Sequence, residues 1–334
     1  MRKPLAIVAA SAIALATLAI GPAALAGESI TGSGSSYAAV MINECRSAYT
    51  EHSVTYNSTG SGTGKTQFAN GTTNFGASDS LYGTGLAPKN FTYVPLIAGP
   101  IAVTYNIPGL KALRLDGATL SKIFLGEITK WNDKAIVALN KGIKLPNESI
   151  NVIYRKDASG TSYNFSNWMF QVAGSPWKAN DVWVTAAGKT VGTSGDKNQG
   201  VKNTQTTLKY SIAYMDLADA LTTNFGIASI KNGSGQFVKA TVAASAKFMA
   251  AQSMKANGQV LFDYNKKVSG GYSVTLVAYG MAPTANKTAK GDAVRGFFDY
   301  MLNVCAPAKA AAKGYVAFTG NFLKQANKLV AKVD

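Results

Sequence analysis

The chain has 334 residues, of which 47% are apolar, so it is long enough for two domains with their own cores and too apolar to be disordered. Lysine and arginine outnumber aspartate and glutamate by 33 to 17, and the resulting net charge of +16 favours anionic partners. The single histidine, His52, excludes histidine triads and multi-histidine metal sites, so we expect neither a metal nor a cofactor.

The N-terminus has the pattern of a secretory signal peptide. Arg2 and Lys3 precede an apolar run from Leu5 to Ile20, and Ala24-Leu25-Ala26 supplies the small residues of a cleavage site. The run is shorter than a membrane span, so we expect residues 1–26 to be removed. The mature chain then begins at Gly27 without a lipid-bearing cysteine, keeps a charge of +14, and is periplasmic or extracellular.

Two strand, turn and helix-start units follow the cleavage site. The first turn is rich in glycine and serine and contains Ser36, and the second contains Ser61. The second resembles a nucleotide-binding P-loop, but Thr59 stands where that motif needs its first glycine. We therefore expect these turns to supply hydroxyls and backbone N–H groups rather than a nucleotide site.

Strands and helices alternate through the rest of the chain, which predicts an α/β fold with largely parallel sheets. An apolar strand ends on Asp79, and Tyr93 to Tyr105 is either a strand pair or a crossover between domains. The polar region from Gly188 to Asn203 shows no periodicity and is interpreted as irregular. Further helices are predicted at 119–126, 131–140, 240–257, 291–303 and 318–332, and further strands at 210–214 and 272–279.

The central stretch is an apolar strand, Ile150 to Tyr154, followed by the loop Arg155 to Thr161 and a helix. Ser159 and Thr161 suit an N-cap, and free N–H groups at a helix start bind anions. Arg155 offers a planar fork of donors to an oxyanion, and Asp157 can hold that fork in place. A capped helix with a surface ion pair explains the same residues and stays open.

The loops around Ser36, Ser61 and Ser159 gather at one edge if they follow parallel strands of an open α/β sheet. The resulting pocket would suit an anion, yet Asp79 would repel one. Asp79 fits only if the anion carries a proton that the carboxylate can accept. Near neutral pH phosphate carries such a proton and sulfate does not, so this arrangement selects phosphate. A simple turn cap is the alternative role for Asp79.

Two cysteines, Cys45 and Cys305, stand 260 positions apart. In an exported chain they can form a disulfide that joins the N-terminal and C-terminal segments. Two buried thiols are the alternative, and export favours the disulfide.

Six motifs, in order along the chain, resemble the phosphate-binding protein of ABC-type phosphate uptake systems. They are Thr31-Gly-Ser-Gly-Ser-Ser-Tyr37, Gly60-Ser-Gly62, Phe75-Gly-Ala-Ser-Asp79, Asn106-Ile-Pro-Gly-Leu110, Leu125-Gly-Glu-Ile-Thr-Lys-Trp131 and Arg155-Lys-Asp-Ala-Ser-Gly-Thr161. The resemblance implies a two-lobed type 2 periplasmic binding fold, each lobe a mixed, mostly parallel sheet flanked by helices, with two crossovers between the lobes. It places lobe I at 27–97 plus 272–334 and lobe II at 98–271.

The same resemblance implies a ligand and its contacts. Phosphate would bind between the lobes through hydroxyl and backbone donors, with arsenate as a competitor, and would pass to the membrane permease of an ABC transporter. Asp157 would hold Arg155, and Asp79 would accept the phosphate proton. The implied phosphate-binding residues are Ser36, Tyr37, Ser61, Asp79, Arg155, Ser159, Gly160 and Thr161.

Two other classes of function compete with this interpretation. A secreted phosphatase would need an activated nucleophile or paired metals, and one histidine makes both unfavourable. A secreted adhesive protein would use the positive charge, but the lysines are scattered, as at Lys266-Lys267, rather than clustered with aromatic residues. We therefore expect a monomeric binding protein that does not bind nucleic acid.

Overall fold

The computed structural model describes residues 27–334, and the predicted signal peptide lies outside them. The strands are β1 Ser29–Gly34, β2 Ser53–Ser58, β3 Phe75–Ser78, β4 Phe91–Asn106, β5 Arg114–Leu115, β6 Asn151–Arg155, β7 Thr193–Gly195, β8 Ser211–Asp216, β9 Gly226–Ile227, β10 Ser229–Lys231, β11 Phe237–Lys239, β12 Ser253–Met254, β13 Val260–Leu261 and β14 Thr275–Pro283.

Helices alternate with these strands. They are α1 Ala39–Ala48, α2 Ser61–Ala69, α3 Gly117–Phe124, α4 Lys134–Leu139, α5 Gly160–Ala173, α6 Trp183–Ala187, α7 Lys197–Thr207, α8 Leu217–Ala220, α9 Val242–Ala250, α10 Ala289–Tyr300, α11 Ala306–Lys309 and α12 Gly320–Val330. A π-helical segment, Met301–Cys305, links α10 to α11. None of the helices within residues 27–334 is long and apolar enough to cross a membrane.

The main sheet is mixed and has the strand order β2-β1-β3-β14-β4-β8-β6-β7, with β9 also beside β4. At one end β1 is parallel to β2 and to β3, and at the other end β6 is parallel to β7 and to β8. The two central strands, β14 and β4, are antiparallel to each other and to their outer neighbours. Two parallel groups are thus joined through one antiparallel pair.

Strand β4 settles how the apolar segment before residue 106 folds. It is one strand of 16 residues, and an unbroken buried run from Val94 to Tyr105 lies within it. Its first part pairs with β14 and its last part, Ile101 to Asn106, pairs with β8. Of the two alternatives for this segment, the strand pair is therefore wrong. A single strand produces the same apolar run when both of its faces are covered by other parts of the chain.

Two other sequence interpretations need correction. The region from Gly188 to Asn203 is not irregular, because it contains β7 and most of α7. The alanine-rich stretch is helical only through Ala250 and then forms a short hairpin of β12 and β13. In α7 the buried anchors are mainly amides, Asn198 and Gln205, so the helix lacks the apolar periodicity that would have predicted it.

Cys45 on α1 and Cys305 at the end of the π-helical segment form a disulfide with a Cα–Cα distance of 5.6 Å. Both residues are buried, at 0% and 3% exposure. The bridge joins positions 260 residues apart and leaves no free cysteine in residues 27–334.

Changing both cysteines to alanine is expected to lower the free energy of unfolding by up to about 5 kcal/mol, because a crosslink over so long a loop restricts the unfolded chain. Denaturant titration of the oxidised protein and of C45A/C305A measures the difference. Thiol reductant should destabilise only the wild type and leave the variant unchanged. Equal midpoints for the two proteins would show that the bridge adds no stability.

Candidate anion-binding site

Several helix starts meet at one place in the fold. The start of α2 contacts the loop before α5, where Gly62 N–H donates to the Ala158 carbonyl at 2.9 Å. The start of α7 contacts the loop after β1, where Asn198 N–H donates to Ser36 Oγ at 3.4 Å. The loops predicted to converge therefore do converge, and α7 adds a fourth that the sequence did not indicate.

Asp79 lies directly after β3 in the middle of these loops and is 3% exposed. Ser35 Oγ donates to Asp79 Oδ1 at 2.5 Å, and Ser61 Oγ lies 3.5 Å from Oδ2. Burial raises the pKa of Asp79 to about 7, against the opposing effects of the Ser35 hydroxyl and the Arg155 guanidinium. The group therefore titrates near neutral pH and can exchange a proton with a ligand.

Arg155 ends β6 and is 1% exposed. Its Nε and Nη2 donate to the two carboxylate oxygens of Asp157 at 2.8 and 2.6 Å, as the sequence predicted. Its Nη1 donates to Asn198 Oδ1 at 2.8 Å and lies 3.5 Å from Thr161 Oγ1. Four of its five N–H groups are thus used within the described chain, and one Nη2 donor remains for a ligand.

The start of α5 supplies further donors. Ser159 is the N-cap, and its Oγ accepts from Ser162 N–H at 3.2 Å. The N–H groups of Gly160 and Thr161 find no acceptor within residues 27–334, as is usual in the first turn of a helix. A Cβ at Gly160 would lie 2.7 Å from both Asp79 Cβ and Ser61 Oγ, so only glycine lets the two loops approach this closely.

Ser36 and Tyr37 contribute differently from each other. Ser36 Oγ already accepts from α7, while the backbone N–H groups of both residues find no acceptor in the described chain. The Tyr37 ring is fully buried, and its hydroxyl lies close to Gly99 without a hydrogen-bond partner in residues 27–334. The backbone N–H of Tyr37 is therefore the group that fits an anion contact.

Sequence reasoning missed three polar residues of this region: Ser35, Asn164 and Asn198. Asn164 Nδ2 bridges the Asp79 and Gly160 carbonyls at 2.6 and 2.8 Å, and Asn198 Nδ2 donates to Asp216 Oδ2 at 2.6 Å. Ser35 belongs to a run of serines and glycines whose members look alike in sequence, and Asn164 lies one turn into a helix. Asn164 lies four positions after Gly160, which places it one helical turn from the loop, and this spacing is the only feature of the sequence that pointed to it.

The arrangement combines buried donors with a carboxylate that can take up a proton. It can hold a small oxyanion by N–H and O–H donors and discriminate between oxyanions that carry a proton and those that do not. Within residues 27–334 no three histidine, cysteine, aspartate or glutamate side chains are grouped so that they could hold a metal ion.

Comparison with known proteins gives the family. A model described as the PBP superfamily domain matches residues 21–304. The phosphate-binding protein PstS of Xylella fastidiosa is 32% identical over 308 residues, which cover 89% of this chain and 83% of that protein. The chain belongs to the phosphate-binding protein family of this superfamily.

Further comparisons with phosphate-binding proteins support this assignment. The phosphate-binding protein PstS of Haemophilus influenzae is 38% identical over 67% of this chain and 68% of its own length. A high-affinity periplasmic phosphate-binding protein, solved with phosphate bound at pH 8.5, superposes with a TM-score of 0.75 over 90% of this chain and 93% of its own. At 18% identity that structure shows the fold alone. The resemblance stated from the motifs and the α/β type 2 binding fold are confirmed.

Proposed function

We propose that the chain captures inorganic phosphate and delivers it to the permease of an ABC transporter. The observation that carries the proposal is the buried carboxyl of Asp79, which titrates near neutral pH beside Arg155 and the free N–H groups of α5. Positive donors alone would suit any oxyanion. A proton acceptor among them suits an oxyanion that is still protonated, which selects phosphate and arsenate over sulfate.

The proposed ligand contacts are those expected from the sequence: Ser36, Tyr37, Ser61, Asp79, Arg155, Ser159, Gly160 and Thr161. Asp157 holds Arg155, and Ser35 holds Asp79 through its hydroxyl. In this proposal phosphate lies between a lobe of residues 27–97 plus 272–334 and a lobe of 98–271. The Cys45–Cys305 bridge, which ties both parts of the discontinuous lobe, supports this division.

The proposal places the protein outside the cytoplasmic membrane as a monomer. The pattern of residues 1–26 supports export, and the structural neighbour solved with phosphate is described as periplasmic. The motifs that resemble the phosphate-binding proteins of ABC-type uptake systems support a permease as the partner. An N-terminus at Gly27, determined on protein secreted from cells, is the expected result of export.

Calorimetric titration tests the ligand. After bound anion has been removed by unfolding and dialysis, phosphate and arsenate are expected to bind with one site each, and at about pH 9, where Asp79 is ionised, sulfate should bind roughly 100-fold more weakly. Equal affinity for sulfate and phosphate at that pH would contradict the role of Asp79. Incubation with a phosphomonoester after chelator treatment is expected to give no turnover, and sustained turnover would favour a phosphatase instead.

A further inference from the structure

An ion pair joins the two sides of the candidate site, one formed by the segment 27–97 and the other by the segment 98–271, which we call its two walls. Lys65 Nζ, on α2, lies 2.6 Å from Asp181 Oδ2, just before α6, and the side chains are only 12% and 16% exposed. Lys65 belongs to the segment 27–97 and Asp181 to 98–271. Among the salt bridges of the described chain, no other connects these two segments.

Lys65 also holds the loop that carries Asp79. Its ammonium donates to Ser80 Oγ at 2.9 Å and to the Leu81 carbonyl at 3.1 Å, so its three protons all have acceptors. Ser80 follows Asp79 directly. The position of Lys65 is therefore tied to the loop that bears the proton acceptor.

Asp181 holds the opposite loop. Its backbone carbonyl accepts from Ser159 N–H at 3.0 Å, and Ser159 is the residue that caps α5. Its Oδ1 is buried and has no hydrogen-bond partner in residues 27–334. The carboxylate thus depends on Lys65 for compensation of its charge.

We propose that Lys65 and Asp181 form a latch that keeps the two walls together and sets how long phosphate stays bound. The inference rests on the proposed function. Opening the walls would separate the ammonium from the carboxylate and return both to water, whereas closure pairs them in a partly buried place. The pair acts through Ser159 and Asp79 rather than by touching the ligand, so both are positioning residues.

The latch has a second effect on Asp79. The charges that act on the Asp79 carboxyl are those of Arg155, which lowers its pKa, and of Asp181, which raises it. With Lys65 removed, the charge of Asp181 is uncompensated and the pKa of Asp79 should rise. With Asp181 neutralised, the pKa should fall. A residue with only a structural role would not produce shifts of opposite sign.

Stopped-flow release of phosphate tests the latch in K65M and D181N. Both are expected to raise the dissociation rate roughly 10-fold with little change in the association rate. The midpoint of the pH profile of dissociation should move up in K65M and down in D181N. The matched control is K202M, which breaks the Lys202–Asp219 pair, of similar length at 2.7 Å and similar exposure at 18% and 14%, within the segment 98–271.

The outcomes separate the latch from the proposed function. Wild-type protein that binds phosphate, with release unchanged in K65M and D181N or raised equally in K202M, would overturn the latch alone. Wild-type protein that binds no phosphate would overturn the proposed function. In that case small-angle scattering still tests the latch, because K65M should have a larger radius of gyration than K202M, and equal radii would overturn it.

Discussion

Replacing Arg155 with methionine is expected to lower the affinity for phosphate on the order of 1000-fold. The change removes a charged donor next to the ligand and leaves Asp157, which is 12% exposed, without its cation. Losing one partner of a buried charged contact with a ligand costs about 2–5 kcal/mol of binding free energy, and each 1.4 kcal/mol is tenfold in affinity. Calorimetric titration with phosphate measures the loss.

A second variant separates binding from folding. In R155M the free energy of unfolding should also fall, because the carboxylate of Asp157 loses its cation. Apart from its own backbone N–H, it then keeps a single donor, the Lys197 N–H at 2.9 Å. In R155M/D157L both charges are gone, so the stability should return towards that of the wild type. Affinity should stay low in the double variant. Recovery of phosphate binding there would contradict a direct role for Arg155.

The sequence was informative where local chemistry decides the structure. The loop from Arg155 to Thr161 contains its own helix start, its own cap at Ser159 and both members of the Arg155–Asp157 pair, and all of these formed as expected. Such features depend on residues a few positions apart. Spacing and residue type are sufficient to predict them.

The sequence was less informative where partners lie far apart along the chain. Asn198 contacts Arg155, which is 43 positions away in the chain, and Ser36, which is 162 positions away. Its helix, α7, has no apolar stripe from which the sequence could have predicted it. Ser35 rather than a neighbouring serine reaches Asp79 because the chain turns just after β1. Each of these contacts depends on the packed arrangement of the loops, which residue pattern alone does not specify.

Changing Asp79 to asparagine is expected to reduce the preference for phosphate over sulfate roughly 100-fold at about pH 9, two units above the pKa of Asp79. The wild-type carboxylate accepts the proton of phosphate but leaves sulfate facing a buried negative charge. An amide carries no charge and can donate through its nitrogen, so sulfate is no longer rejected. Titrations of D79N with both anions measure the change, and D116N, which alters the cap of α3 in the same way, should keep the wild-type preference.

The pH dependence of sulfate binding gives the sharper test of Asp79. The free carboxyl has a pKa of about 7, so below that pH it is protonated and can donate to sulfate, and above it the charge repels sulfate. Wild-type affinity for sulfate should therefore be nearly constant below about pH 6 and fall tenfold for each unit above the pKa. The preference for phosphate should grow over the same range, because phosphate still brings its own proton. In D79N sulfate affinity should not change with pH, and a flat profile in the wild type would show that Asp79 does not select the protonated anion.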